Sequence, residues 1–306
     1  MESPYPKERL VLTRSIEKVT FRILVEGNVT QGNLLGDAGL SVLVDVIYDD
    51  KTKLRLLFDT GAGTPALMHN VHQLKVDLSS VDMIVLSHGH WDHVGGLKEV
   101  LKITGKIPIL YHPKAIEPKI YIPEGEKERD VGIKNYITPQ DLKDSAEVIE
   151  AIEPYNIGDG IWTTGEVPRT NDFEILTGPL KKIHVIQDGQ RVMDPVDDDL
   201  SLIFKLKDGS VVLLAGCCHA GIVNTLKHVT KLTGTTSVKA VVGGLHLFDA
   251  SKERLSKTIE HLKDYPLETL SPCHCSGLRG KAALMYGFED IFKDVGPGST
   301  LEFTSN

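Results

Sequence analysis

One stretch constrains this chain more than any other: Ser87-His88-Gly89-His90-Trp91-Asp92-His93-Val94-Gly95-Gly96-Leu97. It directly follows Met83-Ile84-Val85-Leu86, a short apolar run that reads as a core strand. Three histidines and an aspartate fall between His88 and His93. So many polar rings at a strand exit cannot satisfy one another in a core and need a common partner. Imidazole and carboxylate together suit zinc, iron or manganese. In this spacing His88 and His90 can close on one ion while Asp92 and His93 face a neighbouring one. Gly89, Gly95 and Gly96 let the backbone wrap tightly around such a site.

The surrounding pattern predicts a sheet with helices, twice over. Strands are expected at Val19–Val25, Ser41–Ile47, Leu54–Phe58, Asp82–Leu86 and Ile107–Tyr111. Helices are expected at Pro65–Leu74, with Thr64 as cap and Pro65 in first position, and at Leu97–Ile103. Strands return at Val148–Ile152, Gly160–Thr164, Phe173–Leu176 and Ile183–Ile186. Leu200–Leu206 and Val211–Ala215, joined by Lys207-Asp208-Gly209-Ser210, give the clearest hairpin signal. Then come a helix at Gly221–Leu232, a strand at Val238–Val242, a helix at Lys252–Leu262, a strand at Leu267–Leu270 and a helix at Leu278–Tyr286. The order implies an α/β chain, 1–306 as one domain, of two similar halves. Residues 113–142 break the pattern with Pro118, Pro123, Glu124, Glu126, Lys127 and Glu128, and read as an excursion from the core or a lid.

Composition narrows the partners. With 34 Lys and Arg against 42 Asp and Glu, the net charge of −8 argues against a nucleic-acid surface. Met1–Pro6 carries no basic, then apolar, secretory pattern, and no apolar run approaches the ~20 residues of a membrane span. The four cysteines, Cys217, Cys218, Cys273 and Cys275, cluster beside histidines rather than forming a disulfide framework. The expectation is a reducing, cytoplasmic setting.

H-x-H-x-D-H after a strand, preceded by Phe58-Asp59-Thr60-Gly61, resembles the metallo-β-lactamase superfamily. The resemblance covers almost the whole chain and implies a four-layer αββα sandwich. It also implies that Asp59 supports the metal loop by accepting an imidazole N–H. Further ligands are sought at three later strand exits: Gly216-Cys217-Cys218-His219, Gly243-Gly244-Leu245-His246 and Pro272-Cys273-His274-Cys275. The chain departs from the common pattern where a Gly-Asp usually supplies a bridging carboxylate, because Gly216-Cys217 stands there. Where a Gly-His is usual it has Asp197-Asp198-Asp199. His219 then replaces the missing histidine, and Cys217 or Cys218 is either a thiolate ligand or a small buried residue.

This variant pattern, with Gly165-Glu166-Val167-Pro168-Arg169 and His274-Cys275-Ser276-Gly277, resembles a narrower subgroup. These are the archaeal and bacterial 7,8-dihydropterin-6-methyl-4-(β-D-ribofuranosyl)-aminobenzene-5′-phosphate synthases. The resemblance implies a transferase that condenses a dihydropterin diphosphate with ribofuranosylaminobenzene 5′-phosphate in methanopterin biosynthesis, releasing diphosphate. The alternative is a binuclear hydrolase of an ester, lactone or phosphodiester using metal-activated water. A redox role would call for a separate flavin-binding domain, for which no segment remains.

One or two divalent ions are expected, zinc first, with iron, manganese or magnesium as alternatives. His88, His90 and His219 would form one site; Asp92, His93 and either His246 or His274 the other. His246 is preferred as the ligand, leaving His274, flanked by Cys273 and Cys275, as a substrate contact or general acid. Asp92 is the candidate base if it is not a ligand. Arg169 and Arg279 are candidate phosphate contacts, and Trp91 and Trp162 candidate stacking surfaces for a pterin. The expected partner is a small phosphorylated molecule, with no nucleic acid and no membrane.

Overall fold

The computed structural model describes residues 13–63 and 65–305. Thr64, the expected helix cap, and the Met1–Pro6 segment lie outside the described residues. The first half runs β1 (Ile16–Val25), β2 (Ser41–Tyr48), β3 (Lys53–Phe58), α1 (Pro65–Gln73), β4 (Met83–Val85), α2 (Trp91–Val94), α3 (Leu97–Thr104) and β5 (Pro108–Tyr111). The excursion holds β6 (Ile120–Tyr121), β7 (Arg129–Asp130) and α4 (Pro139–Ser145), after which β8 (Glu147–Glu150) rejoins the first sheet. The second half continues with β9 (Asn156–Gly158), β10 (Ile161–Thr163), β11 (Ile183–Gln187), β12 (Gln190–Met193), β13 (Ser201–Lys205) and β14 (Val211–Ala215). It ends with α5 (Ile222–Thr233), β15 (Val238–Gly244), α6 (Lys252–Leu262), β16 (Thr269–Cys273), α7 (Gly277–Gly287) and β17 (Thr300–Thr304).

Two large sheets have the orders β17-β1-β2-β3-β4-β5-β8 and β16-β15-β14-β13-β10-β9. Strand alternation decides how they stack. Val42, Val44 and Val46 of β2 face a core shared with Leu202, Phe204, Val212 and Leu214 of the other sheet. Leu43 of β2 turns the opposite way, into a core with Leu67, Leu97, Val100 and Leu142 from the helices. Leu213 does the same in the second half, packing with Ile222, Leu226, Leu255 and Leu284. The result is the expected layer order of helix, sheet, sheet, helix. No helix among the described residues is long and apolar enough to cross a membrane.

One expectation needs correction. Phe173–Leu176 is not a strand. Its Glu174 carboxylate instead accepts the Val223 and Asn224 amides, both at 2.8 Å, and so caps the start of α5. The Phe173 and Glu174 amides donate to the Asn171 side-chain oxygen, at 3.3 and 2.9 Å, and so are not offered to a sheet ladder.

Residues 113–142, expected as an excursion or lid, carry their own structure and are stitched to the rest. β6 and β7 join β11 and β12 in a small four-stranded sheet. The Trp91 amide donates to the Val131 carbonyl at 2.9 Å, and Val131 in turn donates to Lys119 at 2.7 Å. Lys119 is fully buried, with Nζ 2.9 Å from Asp194 and 3.1 Å from Asp198. Burial opposes its charge, but Asp198 and Asp194 outweigh that and hold its pKa above the ordinary lysine value. Asp198 also accepts the Gly89 amide at 2.8 Å, so this ion cluster reaches the histidine-rich loop.

Removing the lysine charge would leave two buried carboxylates facing each other. Lys119→Met is therefore expected to destabilise the fold by about 3–5 kcal/mol. In urea unfolding the midpoint should fall while the slope stays constant; an unchanged midpoint would refute this account of the cluster.

Candidate metal centre

Parallel strands bring the chemistry together. β3, β4 and β5 run parallel in one sheet, and β14, β15 and β16 in the other. In the second set the register pairs Ala215 with Gly243 and Gly244 with Cys273, so the chain leaves these strands at one level. Cys217, His246 and His274 follow those exits, and His88 follows β4.

Asp59, just after β3, organises the first half. It is fully buried and left-handed, with φ 58°. Its carboxylate accepts the Ser87 amide, the Ser87 hydroxyl and His93 Nδ1, each at 2.7 Å. Ser87 Oγ also lies 2.9 Å from His88 Nδ1. These bonds use the Nδ1 atoms of His88 and His93 and turn both Nε2 atoms inward.

Two clusters follow. His88 Nε2 lies 2.9 Å from His90 Nδ1 and 3.2 Å from His219 Nε2. His93 Nε2 lies 3.0 Å from His274 Nε2, and Asp92 Oδ2 is 3.5 Å from the same His274 atom. Between them stands Cys217, its Sγ 3.2 Å from His93 Nε2. Its sulfur also groups within 4.8 Å with donor atoms of His88 and His219. Two tetrahedral ligands at zinc–nitrogen distance sit ~3.3 Å apart, so these spacings fit a shared ion. His90 Nε2 and His219 Nδ1 are buried with no hydrogen-bond partner.

The electrostatics agree with that donor set at His88, His90 and His219, whereas His93 must give up a proton to coordinate. Burial drives His88 and His219 well below the ordinary imidazole pKa and brings His90 to about 4, so these rings are neutral and able to coordinate. For His93 burial works the same way, but Asp59 and Asp92 outweigh it and raise its pKa to about 9. Burial raises the Cys217 thiol above its usual value, so a nearby cation is needed to favour its thiolate. Cys218 turns away, with its sulfur 3.2 Å from Thr225 Oγ1.

Strain concentrates here. Of the eight non-glycine residues with positive φ among the described residues, Asp59, Cys218, His246 and His274 lie at the centre or beside it. Two glycines permit the close approach of the loops. A Cβ on Gly89 would meet the Ala115 backbone, and one on Gly216 would meet the Ser87 side chain.

Several predicted residues occupy other positions than expected. His274, not His246, stands beside Asp92 and His93. His246 packs against His219 with ring centroids 4.5 Å apart. Arg169, expected at phosphate, donates instead to the His219 and Pro195 carbonyls, both at 2.6 Å, and so braces the His219 loop. Arg279 is exposed on α7 and does not line the adjoining cavity. Trp162 packs with the outer core of the second sheet, whereas Trp91 lines the cavity. That cavity, of about 610 Å³, also takes in His90, His219, His246 and His274, with Tyr121 and Arg129 from the excursion. The Arg129 guanidinium stacks on Tyr121 at 4.9 Å. Sequence reasoning missed Arg129 and Lys119, which belong to no local motif; the Asp197-Asp198-Asp199 run was the one visible signal of the Lys119 cluster.

Two measurements follow. The double variant His88→Ala, His90→Ala should lose bound metal, read by elemental analysis, while keeping its far-ultraviolet circular dichroism. Asp59→Asn cannot accept from Ser87 and His93 together; metal affinity should drop about 10–100-fold in chelator competition.

Comparison with known proteins places this geometry. Residues 34–188 match the family model described as the metallo-beta-lactamase superfamily. The chain is 32% identical over 273 residues to the 7,8-dihydropterin-6-methyl-4-(beta-D-ribofuranosyl)-aminobenzene-5′-phosphate synthase of Methanocaldococcus jannaschii, covering 87% of this chain and 90% of that protein. It is also 32% identical to the uncharacterized protein MJ0448 of the same organism, covering 90% and 97%. Among solved structures, Tm1679, a metal-dependent hydrolase of the beta-lactamase superfamily, is 26% identical with a TM-score of 0.76, covering 94% of this chain and all of that one. With its fold, its histidine loop and these matches in agreement, the chain belongs to the metallo-β-lactamase superfamily.

Proposed function

We propose that this enzyme joins a dihydropterin diphosphate to ribofuranosylaminobenzene 5′-phosphate and releases diphosphate, in the biosynthesis of a methanopterin-type cofactor. The observation that carries this reading is the 32% identity, over 87% of the chain, to a synthase of that product. In this reading His88, His90 and His219 hold one divalent ion, Asp92, His93 and His274 a second, and Cys217 stands where both can reach it. When bound, such ions supply the positive charge that neutralises phosphoryl oxygens and steadies a departing diphosphate.

The chain's own residues do the rest. A net charge of −8 makes a local cation necessary for anionic substrates, and Arg129 is the arginine that lines the cavity among the described residues. Its planar guanidinium can meet phosphate bidentately. Trp91 and Tyr121, which also line the cavity, offer flat surfaces for a pterin or aminobenzene ring. In the reaction a carbon–nitrogen bond forms between the pterin methyl carbon and the arylamine, and the carbon–oxygen bond to diphosphate breaks. The amine gives up a proton, and Asp92, which lines the cavity, can take it through Oδ1, the carboxylate oxygen not turned towards His274.

The second reading is hydrolysis of a phosphodiester, ester or lactone, favoured by the 26% identity and 0.76 TM-score to a metal-dependent hydrolase. A paired assay separates them. Diphosphate release that requires the aminobenzene substrate supports condensation, whereas turnover of generic phosphodiesters or lactones with no coupled product supports hydrolysis. Arg129→Ala is expected to raise KM for the phosphorylated substrate roughly ten- to hundredfold, as for loss of a hydrogen-bonded charge, with a smaller change in kcat. An unchanged KM would remove Arg129 from substrate binding.

A further inference from the structure

A third donor group, which has Cys217 in common with the two histidine clusters, lines the same cavity. Cys217, His246 and Cys275 follow the ends of β14, β15 and β16, and their donor atoms all lie within 4.8 Å of one another. His246 is only 7% exposed, yet neither ring nitrogen has a hydrogen-bond partner. Within the chain the His246 ring has the Cys275 sulfur beside it, a weak partner, so a ligand from outside the chain would complete it better. Its backbone is left-handed, with φ 45°, a conformation a residue with a Cβ seldom adopts without a compensating role.

The surroundings favour sulfur. The His246 amide donates to Cys275 Sγ at 3.2 Å, and Cys275 Sγ lies 3.5 Å from the Cys217 carbonyl. Gly244 leaves room for that sulfur, since a Cβ there would approach it to 2.7 Å. All three residues line the cavity, so a coordination position would remain open towards it.

We propose that Cys217, His246 and Cys275 form a thiolate-rich site for a thiophilic divalent ion, zinc in preference to manganese or magnesium. The site is distinct from the two histidine clusters and joined to them through the Cys217 sulfur. Two thiolates and an imidazole are a set that zinc accepts with a fourth position open. Harder ions prefer oxygen. This inference does not depend on the condensation reaction, because its readout is metal binding.

The test uses the full chain, stripped with chelator under reducing conditions and reloaded with cobalt(II) or zinc. The unsubstituted protein should show a sulfur-to-cobalt charge-transfer band. Cys275→Ser should bind one ion fewer and lose the part of the band that this ion contributes, leaving only what Cys217 gives at the histidine clusters. His246→Ala, which keeps both sulfurs, should also bind one ion fewer. The His88→Ala, His90→Ala variant should keep the Cys275-dependent part of the band, which separates this site from the histidine centre. Circular dichroism accompanies each variant; where one does not fold, His246→Gln replaces His246→Ala and Cys275→Ala replaces Cys275→Ser. Unchanged ion counts in both Cys275→Ser and His246→Ala would overturn the proposal. So would a Cys217–Cys275 disulfide found by thiol titration. Full metal content with weakened substrate affinity in His246→Ala would make His246 a substrate contact and overturn it equally.

Discussion

The structure around the site depends on one buried carboxylate. Asp59 holds the Ser87 amide, the Ser87 hydroxyl and the His93 ring at the same time. An isolated buried carboxylate would be strongly unfavourable; two Ser87 donors and a protonatable ring offset that. Through those bonds the end of β3 fixes the exit of β4 and the orientation of α2. The second sheet closes against the same point, because Gly216 has no side chain to displace Ser87.

From there the geometry follows from strand direction. Two sets of parallel strands deliver loops from opposite sheets to one edge of the sandwich. Loops at strand ends can hold side chains that a strand interior, packed on both faces, cannot. His88 and His219 are kept neutral by burial, while His93 is kept basic by Asp59 and Asp92. The excursion is held to this edge by the Trp91–Val131 bond and by the Lys119 ion cluster. A segment fastened so close to the histidine loop forms part of the cavity wall, and Arg129 stands on it.

Much of the fold was legible in the sequence because burial imposes a period. Val42, Leu43 and Val44 alternate between two cores, and Leu255, Ile259 and Leu262 recur at helical spacing. The weakest readings were those where side chains, not period, set the structure. Phe173–Leu176 has strand-like composition, but Glu174 serves as a helix cap. β6 and β7, only two residues each, carry no pattern that could be read, and their pairing with β11 and with each other defines them.

The sequence by itself determined the local chemistry: the histidine-aspartate loop after a strand, the Asp59 turn before it, and three later strand exits carrying histidine and cysteine. These are short-range features, set by adjacent residues and by how a strand ends. The tertiary structure alone decided which distant groups meet. It put His274 rather than His246 beside His93, turned Arg169 onto backbone carbonyls, and left both His246 nitrogens unpaired beside two sulfurs. The reason is that partners far apart in sequence are chosen by sheet order, register and backbone dihedrals, and spacing along the chain carries no record of these.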